Sequence, residues 1–171
     1  MNKNKERDFE NATQSLIRQI DSMNLEKTER LQVKNFILLF RDSFKQDSVK
    51  HATFAPVLGD GYKQFLCDSC GFCKASSVSF VSFMNKPEHW QLRYIDEKWA
   101  YGPHYYIVHV PTGRALDLTF DQYQFETADI PYDMGRSAMV TRDARDAAVR
   151  FTHALGMDVM KILNSQIPKS N

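Results

Sequence analysis

Residues 104 to 120, HYYIVHVPTGRALDLTF, constrain the fold more than any other stretch of this chain. Two runs rich in aromatic and β-branched residues flank a Pro-Thr-Gly turn, a pattern that predicts two antiparallel strands joined as a hairpin over 104–110 and 114–120. A third strand-like run, HWQLRYI, occupies 89–95. The remaining periodicity is helical. Phe9, Ala12, Leu16, Ile20 and Met23 recur at three- and four-residue steps, an amphipathic helix, and Leu31, Val33, Phe36, Ile37, Phe40 and Phe44 supply the apolar residues of a second. APVLGDGYKQ, with Pro56, Gly59 and Gly61, reads as a loop. Val78, Val81 and Met84 predict a short helix from about Cys73 to Met84. Ala144, Ala147, Ala148, Phe151, Leu155, Val159 and Ile162 predict one helix over roughly 141–164. Strands gathered together, with helices on either side in sequence, predict an α+β fold with an antiparallel sheet.

The length of 171 residues suits a single domain, 1–171. Within it the pattern separates an N-terminal helical pair (1–47), a core (62–125) and a C-terminal helix (141–164). Apolar residues make up 43% and charged residues 25%, enough to build a core without disulfide staples. The net charge of +1 lends no bulk electrostatic support to a nucleic-acid partner. The N-terminal MNKNKERDFENATQ has no apolar segment behind its basic residues, and no run approaches the ~20 apolar residues of a membrane span. The expectation is a cytoplasmic protein whose odd number of cysteines, three, are reduced.

All three cysteines lie in CDSCGFCKASS, 67–77, and this cluster supports two chemistries. Cys67, Cys70 and Cys73 have the two-residue spacing of zinc and iron–sulfur ligands. With one of His51, His89, His104, His109 or His153 they would make a noncatalytic, zinc-stabilised binding module. The other reading needs one activated thiol. Cys73 falls at the predicted helix start, where partial positive charge and free N–H groups lower a thiol pKa and line an oxyanion hole. A base and an orienting acid are at hand in His104 and Asp117. A two-residue Thr112-Gly113 turn puts Val108 opposite Asp117. His104 and Asp117 then share a face but stand four residues apart, roughly 13 Å, unless a bulge or strong coiling closes the gap. In that register Asp121 is opposite His104 and is the alternative acid. The aromatic stretch 89–106 contributes Trp90, Trp99 and Tyr106 as sheet packing or as a wall for substrate. Arg136, Arg142, Arg145 and Arg150, interleaved with Asp143 and Asp146, read as a solvated helix face with local ion pairs.

At these residues the chain resembles the papain-like and transglutaminase-like superfamily. CGFCKASS (70–77) resembles the papain-type cysteine box, in which the second cysteine of C-G-x-C is the nucleophile; this implies Cys73 as nucleophile and Cys70 as bystander. HYYIVHVPTGRALDLT (104–119) resembles the transglutaminase-like pattern of His, an aromatic two residues on, a turn glycine, and Asp-x-Thr; this implies His104 as base and Asp117 as acid. The spacing is nearest to small bacterial proteins of the YunG type, which carry a similar H…G…(I/L)DLT…Q(F/Y) stretch, continued here by DQY. The resemblance covers about residues 64–125. It implies a papain-like core and a cysteine hydrolase or acyltransferase acting on a peptide, protein or small amide through a Cys73 thioester, with no metal or cofactor. Six residues before the nucleophile, where papain has its oxyanion glutamine, stands Cys67; Gln64 is the nearest glutamine, three residues earlier than that position, and Gln91 is another amide donor that folding could bring close, beside the Cys73 backbone N–H.

Overall fold

The computed structural model describes residues 3–96, 103–123 and 130–165. Its helices are α1 (Lys3–Ser22), α2 (Lys27–Phe44), α3 (Asp47–Leu58), α4 (Cys73–Phe83), α5 (Arg142–Ala154) and α6 (Met160–Leu163). Its strands are β1 (Trp90–Ile95), β2 (His104–His109), β3 (Arg114–Leu116) and β4 (Arg136–Ser137). The strands form one antiparallel sheet in the order β3-β2-β1-β4, so the fold is α+β. Among the described residues no helix is long and apolar enough to cross a membrane.

α1 buries Phe9, Ala12, Leu16 and Ile20, and Met23, just past its end, continues the buried stripe that the periodicity predicts. α2 buries Val33, Ile37, Phe40 and Phe44, while Leu31 faces solvent. Arg41, four residues after Ile37, lies on the same inward face and is 1% exposed. Its guanidinium is fully engaged. Nε donates to Thr13 Oγ1 (3.0 Å), Nη1 to Leu118 O (3.1 Å) and Asp121 Oδ1 (2.6 Å), and Nη2 to Phe9 O (3.0 Å) and Asp121 Oδ2 (3.1 Å). One side chain thus ties α1, α2 and the segment after β3 together.

Two helix expectations need correction. The predicted loop at 55–64 begins as the last turn of α3, which runs through Pro56. Proline disrupts a helix by removing a donor and crowding the carbonyl four residues back. Here it comes one turn from the end, after Val49, Thr53 and Phe54 have anchored the helix in the core. The predicted helix over 141–164 is broken into α5 and α6. Gly156 (φ 68°) follows the C-cap, with the Gly156 N–H donating to His153 O (3.0 Å) and the Met157 N–H to Thr152 O (2.9 Å). This crossed pair is the Schellman termination, which requires a left-handed residue.

α4 packs against α5, α6, β1 and β2 and is buried almost all round. Its sequence looks half polar, but the serine hydroxyls are absorbed internally. Ser76, Ser79 and Ser82 donate to the carbonyls four residues back (2.9, 2.7 and 2.8 Å), and Ser77 to Tyr105 O (3.3 Å). A serine that bonds its own helix can be buried at little cost.

The hairpin differs from its predicted register, and the difference matters for the site. β2 and β3 pair Ile107 with Leu116, Val108 with Ala115 and His109 with Arg114. The connection is therefore the four residues 110–113, closed by the Thr112 and Gly113 N–H groups donating to His109 O (3.2 and 2.8 Å). Val108 faces Ala115, not Asp117: the register has moved by two residues. Extended one step, it sets Asp117 level with Tyr106, two residues from His104 instead of four. β3 also ends at Leu116, not at 120, and 120–123 form a 3-10 turn. β4 is two residues long, too short for any periodicity to announce it.

Candidate active site

The approach to Cys73 is a tight loop. Cys67 and Cys70 are joined in a disulfide, so the expectation of three reduced cysteines is corrected; Cys73 alone is free. Two of the three sulfurs required by the zinc-module reading are thus spent on each other. Gly71 follows at φ 81°, where a Cβ would stand 2.8 Å from the Phe65 ring. Only glycine suits both the left-handed backbone and the close ring. Phe72, fully buried among Phe44, Phe54 and Phe151, then anchors the chain at the N-cap. Cys73 opens α4 with its side chain buried, and the N–H groups of that first turn have no acceptor inside the helix.

β2 brings His104 to this helix end. His104 is fully buried and is the group that chiefly offsets the burial of the Cys73 thiol. Its Nε2 lies 2.6 Å from Asp117 Oδ2. Asp117, also buried, accepts from the Thr119 N–H (3.0 Å) and hydroxyl (3.2 Å) through Oδ1 and from the Tyr132 hydroxyl (2.9 Å) through Oδ2. The Asp-x-Thr pattern thereby becomes physical: Thr119 turns back to saturate the carboxylate two residues before it. With Nε2 committed to Asp117, a proton exchanged with the thiol has to pass through Nδ1, which the Gln122 amide nitrogen also approaches at 3.1 Å.

The electrostatics favour a thiolate–imidazolium pair. Burial pushes the Cys73 thiol up, but the hydrogen bond and charge of His104 and a hydrogen bond from the Tyr105 backbone outweigh it, and the thiol lies below its ordinary value. Burial disfavours the His104 imidazolium, but the Asp117 charge and hydrogen bond, with those of Cys73, raise it to about 10. Asp117 is raised by burial and lowered more by His104, and it stays ionised. The three groups hold one another in the charged forms that nucleophilic thiol chemistry needs.

Asp121, the alternative acid, is not at His104. The shifted register and the turn at 120–123 carry it to Arg41. The same turn delivers Gln122, whose Nε2 lies 3.1 Å from His104 Nδ1 and 3.1 Å from Thr119 Oγ1, and Tyr123, edge-on to the imidazole at 4.7 Å. Sequence reasoning attached no role to Gln122, although DQY was visible as a continuation of the pattern. Tyr132 has no signal at all: it opens a three-residue 3-10 turn, Tyr132–Met134, fifteen residues beyond Asp117.

A cavity of about 640 Å³ opens beside Cys73. Phe54, Val57, Leu58, Phe65 and Leu66 give it an apolar wall, and Gln64, Gln122 and Arg150 add polar groups. Gln64 is therefore on the cavity. Gln91 is not: it lies on β1 opposite Val108 and donates to Ser137 Oγ (2.9 Å). Trp90 is also elsewhere, packed edge-on to Phe80 with its indole N–H donated to Glu29. Tyr106 is fully buried, near-parallel to His104, and donates to Tyr132 O (2.7 Å), so it braces the site and offers no surface to a ligand. Trp99 lies outside the described residues. Of the arginines, Arg142 and Arg145 reach Asp146 (3.7 and 3.6 Å) as a solvated face would, whereas Arg150 turns inward to Thr53 O (2.8 Å).

No protein-family model, no curated protein and no solved structure matches the chain.

Proposed function

We propose that this chain is a cysteine-dependent hydrolase or acyltransferase of papain-like, transglutaminase-like architecture. The observation that carries the reading is the buried Cys73–His104–Asp117 series, with the thiol at the start of α4 and the imidazole nitrogen 2.6 Å from the carboxylate. The Cys73 thiolate attacks an amide or acyl carbonyl. The developing oxyanion is met by the N–H groups of the α4 first turn, helped by the Gln64 amide on the cavity wall. His104 gives its proton to the departing amine or alcohol, leaving a Cys73 thioester. Water or an acceptor amine, deprotonated by His104, then attacks the thioester and frees the thiol. Asp117 keeps Nε2 protonated throughout and offsets the imidazolium charge. The apolar wall suits an acyl group carrying an aliphatic or aromatic side chain.

The test is covalent capture. A peptidyl electrophile with an apolar side chain next to its warhead should add once per chain, at Cys73, and Cys73→Ser should abolish the adduct. Incubation with activated acyl esters should leave an acyl mass on Cys73 that water or added amine removes. Adducts on Cys67 or Cys70 with Cys73 untouched, or a Cys73 no faster than a free thiol, would end the enzyme reading.

A further inference from the structure

At the opposite end of β2 from His104, five residues along and roughly 17 Å away, a second cluster takes no part in the thiol chemistry. Glu29 on the first turn of α2, His89 just before β1 and His109 at the end of β2 offer ligand atoms that all lie within 4.8 Å of one another. Glu29 and His109 are 5% and 2% exposed. His89 Nδ1 is 3.1 and 3.2 Å from the two Glu29 oxygens, and His109 Nε2 is 3.9 Å from Glu29 Oε1.

His109 is the informative member. Its Nδ1 lies 2.8 Å from the Thr112 hydroxyl, which itself reaches back to His109 O at 3.5 Å. If the hydroxyl proton is given to that carbonyl, the hydroxyl oxygen accepts from Nδ1–H, which leaves Nε2 as the lone-pair nitrogen. That Nε2 is buried and has no hydrogen-bond partner. It points at a carboxylate 3.9 Å away, beyond the reach of an N–H···O bond. Glu29 is already supplied with donors: the Trp90 indole N–H reaches Oε1 at 2.9 Å, and His89 lies against both oxygens. An orphaned lone pair facing a buried carboxylate is unfavourable alone, and a shared cation is its complement. Ligand atoms of a tetrahedral zinc stand about 3.3 Å apart, and the 3.1 and 3.9 Å separations here straddle that value. Thr112 and Trp90 occupy the supporting positions that orient metal-bound histidines and carboxylates.

We propose that Glu29, His89 and His109 form a binding site for Zn²⁺ or a similar borderline divalent cation such as Co²⁺. Two neutral imidazoles and one carboxylate match that class of ion, and three protein ligands leave a fourth position for water or a ligand donor. The site clips α2 to the β1–β2 end of the sheet.

The experiment is Zn²⁺ titration of the full chain after chelator stripping, followed by Co²⁺ absorption. One Zn²⁺ per chain should bind and raise the thermal midpoint. Glu29→Gln, which retains the shape and the Trp90 acceptor, and His89→Ala, at a side chain 28% exposed and so removable without hollowing the core, should each weaken binding about tenfold or more while circular dichroism stays unchanged. Cys73→Ser should bind like the parent, and the Co²⁺ adduct should lack a sulfur-to-cobalt charge-transfer band. Failure to bind stoichiometrically, binding undiminished in Glu29→Gln and His89→Ala, or binding lost with Cys73→Ser overturns the proposal; the last of these would move the ion to the thiol site.

Discussion

Replacing His104 with alanine should shift the pH profile of Cys73 alkylation to the alkaline side and cut the rate at neutral pH by about tenfold or more, since an unassisted thiol is only a few per cent thiolate there. The sign follows from the balance at the sulfur. Burial raises the thiol pKa, while His104 and the Tyr105 backbone lower it further than burial raises it. The parent protein therefore retains thiolate below the ordinary thiol range, and reactivity should fall only as pH drops through that depressed value. Without the imidazole, desolvation is left largely unopposed and the profile moves above the free-thiol position. Asp117→Asn should have a smaller effect in the same direction, because it removes the charge that chiefly raises His104 but leaves the ring in place. Rates of iodoacetamide labelling across pH, read at Cys73 by mass spectrometry, decide the matter. A His104→Ala profile that overlays the parent would mean that the two groups do not act as a pair.

Asp121→Asn should cost stability on the scale of the whole fold, roughly 3–5 kcal/mol, and lower the thermal midpoint on the order of 10 °C. The replacement leaves the Arg41 guanidinium buried at 1% exposure with its counter-charge gone. Removing both partners, as in Arg41→Met with Asp121→Leu, should be milder than either single change, because no uncompensated charge then remains in the core. Denaturant midpoints at constant m-value measure this directly. The result also separates the two acids. Asp121→Asn should act through unfolding, whereas Asp117→Asn should unfold cooperatively and label slowly. If Asp121→Asn is as stable as the parent, the clip of α1, α2 and 118–121 by Arg41 carries no weight.

Much of this arrangement can be read from local pattern alone. The helical stripe of α1, the strand character of 90–95 and 104–109, and the start of α4 at Cys73 all follow from side-chain periodicity and from turn residues. These depend on neighbours within one or two turns. The conjunction of Cys73, His104 and Asp117 is legible for the same reason: each stands at a marked position of its own element. What the chain does not announce depends on contacts between distant segments. The loop length at 110–113 moves the register by two residues, and that shift sends Asp117 to His104 and Asp121 to Arg41. α3 persists through Pro56 because Val49, Thr53 and Phe54 are held by the core. Tyr132 and Gln122 reach the triad only once the 120–123 turn and the segment before β4 are folded over it. Glu29, His89 and His109, sixty and twenty residues apart in sequence, have no spacing that links them; only the packing of α2 on the sheet end brings their ligand atoms within 4.8 Å. Local sequence determines which face a side chain takes. Which partner it meets on that face is decided by register and packing, where a displacement of two residues exchanges one acid for another.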